Sequence, residues 1–296
     1  MQQVVTLIGG ADGLTEALAA AACAAIERTG AAPGPVQWLG PAIACEILFS
    51  GADPLAVESE LRRRLQSDRV DLAVQASEGR RRKLLVADME STIVTRELTD
   101  ELASLVGLGE LVAPITARAM RGEIDFAASL RQRVALLTGR PANLLERVAD
   151  LVELTPGART LVQTMKVNGA RTALVSGGFE NFAALAAARC GFDEYHANRL
   201  VIADGVLAGR VEEPILDSRG KRAILKRLSH DFALPLDSAT AVGDGANDIP
   251  MIEAAGMGVA YHAKPAVAAA ARFRLDHADL TGLLYLQGYR SEEFRD

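Results

Sequence analysis

Lys83-Leu84-Leu85-Val86-Ala87-Asp88-Met89-Glu90-Ser91-Thr92 is the stretch from which the rest of the chain can be read. An apolar run stops abruptly at an acid, as in a buried parallel strand whose C-terminal end opens into a site. Two more strands of this kind follow: Thr172–Val175 runs into Ser176-Gly177-Gly178, and Ala239–Val242 runs into Gly243-Asp244-Gly245. Helical patterns fill the intervals at Ala158–Asn168, Phe182–Cys190, Lys221–Ser229 and Asp248–Ala255. This alternation predicts an α/β fold, a doubly wound parallel sheet with its site at the strand C-termini. Between Thr92 and Leu154 four helical patterns follow one another without a strand, most clearly at Leu144, Leu145, Val148, Leu151 and Val152. An all-helical insertion there, at about residues 95–154, is expected to sit over the site as a cap. Leu200–Ile202 and Val206–Ala208, around Asp204-Gly205, read as a β-hairpin.

Upstream, the pattern runs strand (Val4–Ile8), helix (Leu14–Arg28), strand (Val36–Leu39), strand (Ile43–Ser50), helix (Pro54–Leu65), strand (Leu72–Gln75). This small α+β unit, βαββαβ over residues 1–78, resembles the ferredoxin-like topology of ACT-like regulatory domains. It carries no chemical signature of its own. The polar, basic segment Ser77–Lys83 marks the boundary to a larger domain, residues 79–296.

Composition narrows the function classes. The 296 residues are 49% hydrophobic and 24% charged, enough to bury a large core in one or two domains. The net charge is −6 and the longest basic run is Arg80-Arg81-Arg82-Lys83, so no nucleic-acid partner is expected. Cys23, Cys45 and Cys190 stand far apart and form no metal-ligand spacing with the four histidines, which fits a reducing, cytoplasmic location. No membrane association is expected either: the apolar stretch Ala17–Ile26 is too short to span a bilayer and follows acids, Asp12 and Glu16.

The three strand ends deliver the parts of a phosphoryl-transfer site. Asp88 reads as a carboxylate nucleophile that splits the reaction into two displacements through an acyl-phosphate. Attack between two anions calls for a hard cation. Asp88, Asp244 and the backbone carbonyl of Glu90 are the expected Mg²⁺ ligands. The Ser176 hydroxyl, the Gly177 N–H at a helix N-terminus and the Lys221 ammonium are the expected donors to the phosphoryl oxygens. Alone, each part has a plainer reading: Asp88 as a turn cap, Lys221 beside Arg219 and Arg222 as a solvated charge. Their occurrence together in this order argues for the site.

The order DMEST, SGG, Lys221, GDGAND resembles the signature of the haloacid dehalogenase superfamily of phosphohydrolases, and within it the phosphoserine phosphatase family. The resemblance runs from about residue 84 to 286. Its segments are Asp88 to Glu101, Met120 to Val134, Leu174 to Phe179, His196 to Leu200 (HANRL) and Ala241 to Met251. It implies a small-molecule substrate, O-phospho-L-serine, hydrolysed as the last step of serine biosynthesis. Asp88 would be phosphorylated, and Glu90 would protonate the leaving oxygen and then activate water. Glu97 would read the substrate amino group and Arg133 its carboxylate, with Met120 and Phe126 as apolar cap residues. Asn247 would lie near the phosphate, and Asp248 would steady the metal's water ligands. One residue departs from the pattern: Glu90 stands where the superfamily has Asp, so its longer side chain is expected to work from an adjusted rotamer. The alternatives are a phosphotransferase that uses another hydroxyl acceptor and a catalytically silent amino-acid sensor. Small βαββαβ units often pair edge to edge, so a homodimer is also compatible with the sequence.

Overall fold

A computed structural model describes residues 2–120 and 123–296, apart from the side chain of Met120. The first sheet is antiparallel, in the order β2-β3-β1-β4, with β1 at Gln3–Gly9, β2 at Ala32–Gly40, β3 at Ala44–Ser50 and β4 at Val70–Ala76. Helices α1 (Glu16–Arg28) and α2 (Pro54–Arg64) cover one face, burying Ala22, Ile26 and Leu61 against Val5, Leu7, Ile47 and Phe49. Each helix begins where a side chain can accept an orphan N–H: Thr15 from Leu18 at 3.2 Å, and Asp53 from Leu55 at 3.4 Å with Pro54 following.

The second sheet is wholly parallel, in the order β12-β11-β10-β5-β6-β7. Its strands are β5 (Leu84–Ala87), β6 (Arg171–Phe179), β7 (Glu194–Asn198), β10 (Ala239–Gly243), β11 (Met257–Tyr261) and β12 (Phe273–Leu275), and β8 (Leu200–Ala203) pairs with β9 (Val206–Val211) as the hairpin. Alternate residues of β5 face opposite cores. Leu85 and Ala87 join the core of α7 (Ala158–Val167) and α8 (Glu180–Cys190), whereas Leu84 and Val86 join that of α9 (Ser218–Asp231) and α10 (Ile249–Ala254). Both faces of the central strand are therefore dry, the condition that makes a doubly wound sheet read as continuous apolar runs. The chain leaves the sheet at Thr95 and returns at Glu153, where the Thr95 N–H donates to the Glu153 carbonyl at 3.0 Å. Between them lie α3 (Leu98–Leu105), α4 (Gly109–Met120), α5 (Phe126–Ala135) and α6 (Leu144–Ala149). Helix α11 (Pro265–Ala270) follows β11, and α12 (Gly282–Leu286) packs on β1, so β1 is buried on both faces from Val4 to Gly9. There Asp71 accepts the N–H groups of Asp276, His277 and Ala278 at 2.7, 3.1 and 2.8 Å.

The structure corrects the sequence reading in two places. The sheet holds β7, β11 and β12 beyond the three strands expected. In addition, β6 continues through Ser176-Gly177-Gly178 to Phe179, with a shift of register between Val175 and Phe179, and α8 begins only at Glu180. The Gly177 N–H is therefore part of a distorted strand end, not of a helix N-terminus.

Candidate active site

Adjacent strands β5 and β10 end side by side, their registration continued by the Asp88 N–H, which donates to the Val242 carbonyl at 2.9 Å. Asp88 and Asp244 consequently emerge together. With Asp248 they place carboxylate oxygens within 4.8 Å of one another, and all three residues are buried. Lys221 enters from the first turn of α9, which Asp217 caps by accepting the Arg219 and Gly220 N–H groups at 2.9 Å each. Although Lys221 is 0% exposed, its ammonium donates to Asp88 Oδ1 at 2.5 Å and to Asp248 Oδ1 at 2.7 Å. Asp248 Oδ2 accepts the Gly245 N–H at 3.1 Å, so each oxygen of that carboxylate has a partner in the protein. Burial alone would lower the Lys221 pKa, but the charges of Asp248 and Asp88 outweigh it and hold the ammonium above its usual range. Burial, followed by the charge of Asp248, pushes the Asp88 carboxyl well up. Three buried carboxylates against one buried ammonium leave excess negative charge among oxygen donors, and that is the environment a hard divalent cation fits.

The end of β6 supplies the second wall. The Ser176 hydroxyl accepts the Gly178 N–H at 2.9 Å, leaving its own proton free to donate into the site. Both glycines lie where a side chain approaches the strand closely. A Cβ on Gly177 would lie 2.8 Å from the Phe126 ring, and one on Gly178 would lie 2.9 Å from Glu90 Oε2. Phe126, the first residue of α5, thus lies on the site as the cap residue it was expected to be. Met120, its expected companion, has a side chain outside the described residues. Asn247 folds its side-chain oxygen to 2.4 Å from where a Gly245 Cβ would stand, beside Asp248.

Glu90 turns its carboxyl inward, and Oε1 accepts the Thr99 backbone N–H at 2.8 Å and the Thr99 hydroxyl at 3.2 Å. Burial, and then the neighbouring charge of Glu97, push this carboxyl up to about 7, while the Thr99 bonds oppose the shift. An acid poised near neutrality is able both to give and to take a proton. Glu97 is exposed, and it accepts from the Ser91 hydroxyl at 2.8 Å. Arg133 lies 3.7 Å from Asp100, and its Nε is buried with no hydrogen-bond partner among the described residues. A guanidinium with an unused buried donor can accept a carboxylate from outside.

The structure thus gathers Asp88, Asp244, Lys221, Ser176, Gly177, Glu90 and Asn247 at three neighbouring strand ends, and sets Glu97 and Arg133 in the cap beside them. The side chain of Glu90 is not part of the carboxylate cluster, so its expected metal contact is confined to the backbone carbonyl. Sequence reasoning missed Lys264, 3.5 Å from Asp244, and Thr99. Lys264 follows β11, an unread strand, and nothing local to Thr99 signals its bond to a residue nine positions earlier.

The haloacid dehalogenase-like hydrolase model matches residues 82–256. A phosphoserine phosphatase of Streptomyces coelicolor is 40% identical over 296 residues, covering 99% of this chain and 72% of its own. The chain belongs to the phosphoserine phosphatase family of haloacid dehalogenase-like hydrolases. A second relative in that family, from Mycobacterium tuberculosis, is 44% identical over 75% of this chain, which spans 54% of that protein. The crystal structure of a probable phosphoserine phosphatase from Vibrio cholerae superposes with a TM-score of 0.79 at 32% identity, covering 97% of this chain and 86% of the other. Among the described residues, no helix is long and apolar enough to cross a membrane.

Proposed function

We propose that the protein hydrolyses O-phospho-L-serine to serine and phosphate through an aspartyl-phosphate on Asp88. The observation that carries this reading is the Asp88–Lys221–Asp248 cluster at the end of β5, with Arg133 in the cap, whose Nε has no hydrogen-bond partner among the described residues. A buried nucleophile held by an ammonium is suited to attack phosphorus, and a base and an acid in the cap, Arg133 and Glu97, are suited to a zwitterionic head group.

An Asp88 oxygen forms the new bond to phosphorus while the bond from phosphorus to the serine oxygen breaks, and Glu90 gives that oxygen a proton. Water then attacks the acyl-phosphate and Glu90 recovers a proton from it. Cleavage of the Asp88–phosphorus bond releases phosphate. Lys221, the Ser176 hydroxyl and the Gly177 N–H stabilise the charge on the phosphoryl oxygens through both displacements. Asp88, Asp244 and the Glu90 carbonyl would hold Mg²⁺, with Asp248 behind them. When bound, Mg²⁺ neutralises the approach of one anion to another.

The test is phosphate release from phosphoserine with and without Mg²⁺, for the wild type and for Asp88→Asn. Mg²⁺-dependent release is expected from the wild type and none from the folded variant. Serine binding without turnover would leave a sensor, and transfer to added alcohols in preference to water would leave a phosphotransferase. Retention of most activity by Asp88→Asn would remove the nucleophile.

A further inference from the structure

The motif His196-Ala197-Asn198-Arg199-Leu200 shares the sequence resemblance, yet none of its residues enters the chemistry above. Its centre, Asn198, is the last residue of β7 and is 3% exposed. The side-chain amide donates to the Gly177 carbonyl at 2.8 Å and to the Leu216 carbonyl at 3.2 Å, and Oδ1 accepts the Leu216 N–H at 2.7 Å. One buried side chain therefore joins two backbones that are otherwise far apart in sequence. The first is the distorted end of β6, where Ser176 and Gly177 lie. The second is the segment that immediately precedes Asp217, the cap from which α9 and Lys221 begin.

These three bonds fall where neither ladder nor helix can supply them. The pairing of β6 with β7 lapses between Val175 and Phe179, which frees the Gly177 carbonyl. Leu216 precedes the helix, so its N–H and carbonyl have no intrahelical partner. Asn offers two donors and an acceptor in one planar group, whereas the Asp carboxylate of the same shape offers only acceptors.

We infer that Asn198 is a positioning residue, one that sets the spacing between the Ser176/Gly177 donors and the Lys221 ammonium across the phosphoryl group. This rests on the reading of Ser176, Gly177 and Lys221 given above. Asp at 198 would turn an acceptor toward two carbonyls and push the β6 end away from α9. A misplacement of about 1 Å at such a site can cost on the order of 10²-fold in rate.

The experiment compares wild type, Asn198→Asp and Asn198→Ser on phosphoserine and on a phosphate ester without amino or carboxylate groups, with inorganic phosphate as inhibitor and thermal unfolding as the control for folding. The expected result is a fall in kcat/KM of about 10²-fold on both esters together with weaker phosphate inhibition, while the ratio of kcat/KM between the two esters stays within about threefold of the wild type because the cap contacts are untouched. A folded variant with unchanged kcat/KM and unchanged phosphate inhibition overturns the proposal. A kcat/KM effect confined to phosphoserine does the same, since it would place Asn198 with the head-group residues. Failure of both variants to fold would assign Asn198 to stability and also overturn it. Wild-type protein inactive on phosphoserine with Mg²⁺ would defeat the underlying reading instead, so the two failures are distinguishable.

Discussion

Replacing Lys221 with Met keeps the volume of a fully buried side chain and removes one charge. Two carboxylates, those of Asp88 and Asp248, then face each other with nothing between them. At the 4.8 Å that bounds the cluster and an effective dielectric of about 20, their repulsion is about 3.5 kcal/mol. That figure agrees with the 3–5 kcal/mol, roughly, lost when one partner of a buried ion pair is removed. The folded protein can relieve the repulsion by protonating Asp88, whose carboxyl burial already pushes up, so in the variant its folded-state pKa lies further above that of the unfolded chain. The sign follows: the penalty is absent below the unfolded carboxyl pKa of about 3.9 and appears as pH rises through it. Urea unfolding of Lys221→Met should therefore show a loss of about 3–5 kcal/mol at pH 7 that shrinks toward zero near pH 4. Millimolar Mg²⁺ should restore part of it, since a cation held by Asp88 and Asp244 replaces some of the missing charge. Turnover should fall by about 10²- to 10³-fold through loss of a donor to the phosphoryl oxygens. A loss under about 1 kcal/mol that is independent of pH would refute the idea that Lys221 balances these carboxylates.

Arg133→Ala should lower kcat/KM on phosphoserine by about 10- to 10²-fold, the worth of a charge-assisted hydrogen bond, and leave an ester without a carboxylate almost unchanged. Equal losses on both substrates would take Arg133 out of head-group recognition. Glu90→Asp draws the carboxyl back by about one C–C bond, roughly 1.5 Å. The 2.8 Å bond to Thr99 is then lost; kcat should drop by about 10-fold or more and thermal stability by about 1 kcal/mol, whereas an unchanged kcat would show that the extra reach is not used. Burial pushes the Cys45 and Cys190 thiols up to about 12, so at pH 8 a maleimide should label Cys23 first and the other two only on unfolding. Because those two thiols stay neutral in the folded state while the unfolded chain ionises near pH 9, their linkage should lower stability as pH rises from about 9 to 12, by about 1.4 kcal/mol per unit for each thiol.

How much of this was legible in the sequence depended on how sharply polarity changes along the chain. Asp88 and Asp244 stand out because wholly buried strands end at them. The strand β7, Glu194-Tyr195-His196-Ala197-Asn198, has no such contrast: it lies at the sheet edge with exposed Tyr195 on it. The strand β12 is only three residues long, too short for any period to show. Lys264 was missed as a consequence, and Asn198 was read only as part of the HANRL resemblance with no role, since each lies at or just after the end of an unread strand. The distortion of β6 was hidden for a different reason. Glycines at Gly177 and Gly178 read as a strand terminator, but here they answer to Phe126 pressing from the cap and to Glu90 from the loop after β5, contacts that no local pattern encodes.

The same contacts explain how a longer acid fits at position 90. Helix α3 begins at Leu98 with Glu97 as its N-cap residue, but the Glu97 side chain accepts from Ser91 and caps nothing. An N–H of the first turn, that of Thr99, is left to find an acceptor elsewhere, and Glu90 supplies it. The reach needed is the extra methylene, and the room for it is the missing Cβ of Gly178. The proton-transfer group and the first cap helix are thereby one hydrogen-bonded unit, seated against the phosphate-binding strand end. Any movement that lifts α3 from the site must either draw the Glu90 carboxyl with it or break the Thr99 bond. In the reading proposed above, closing the cap and placing the acid are then the same event.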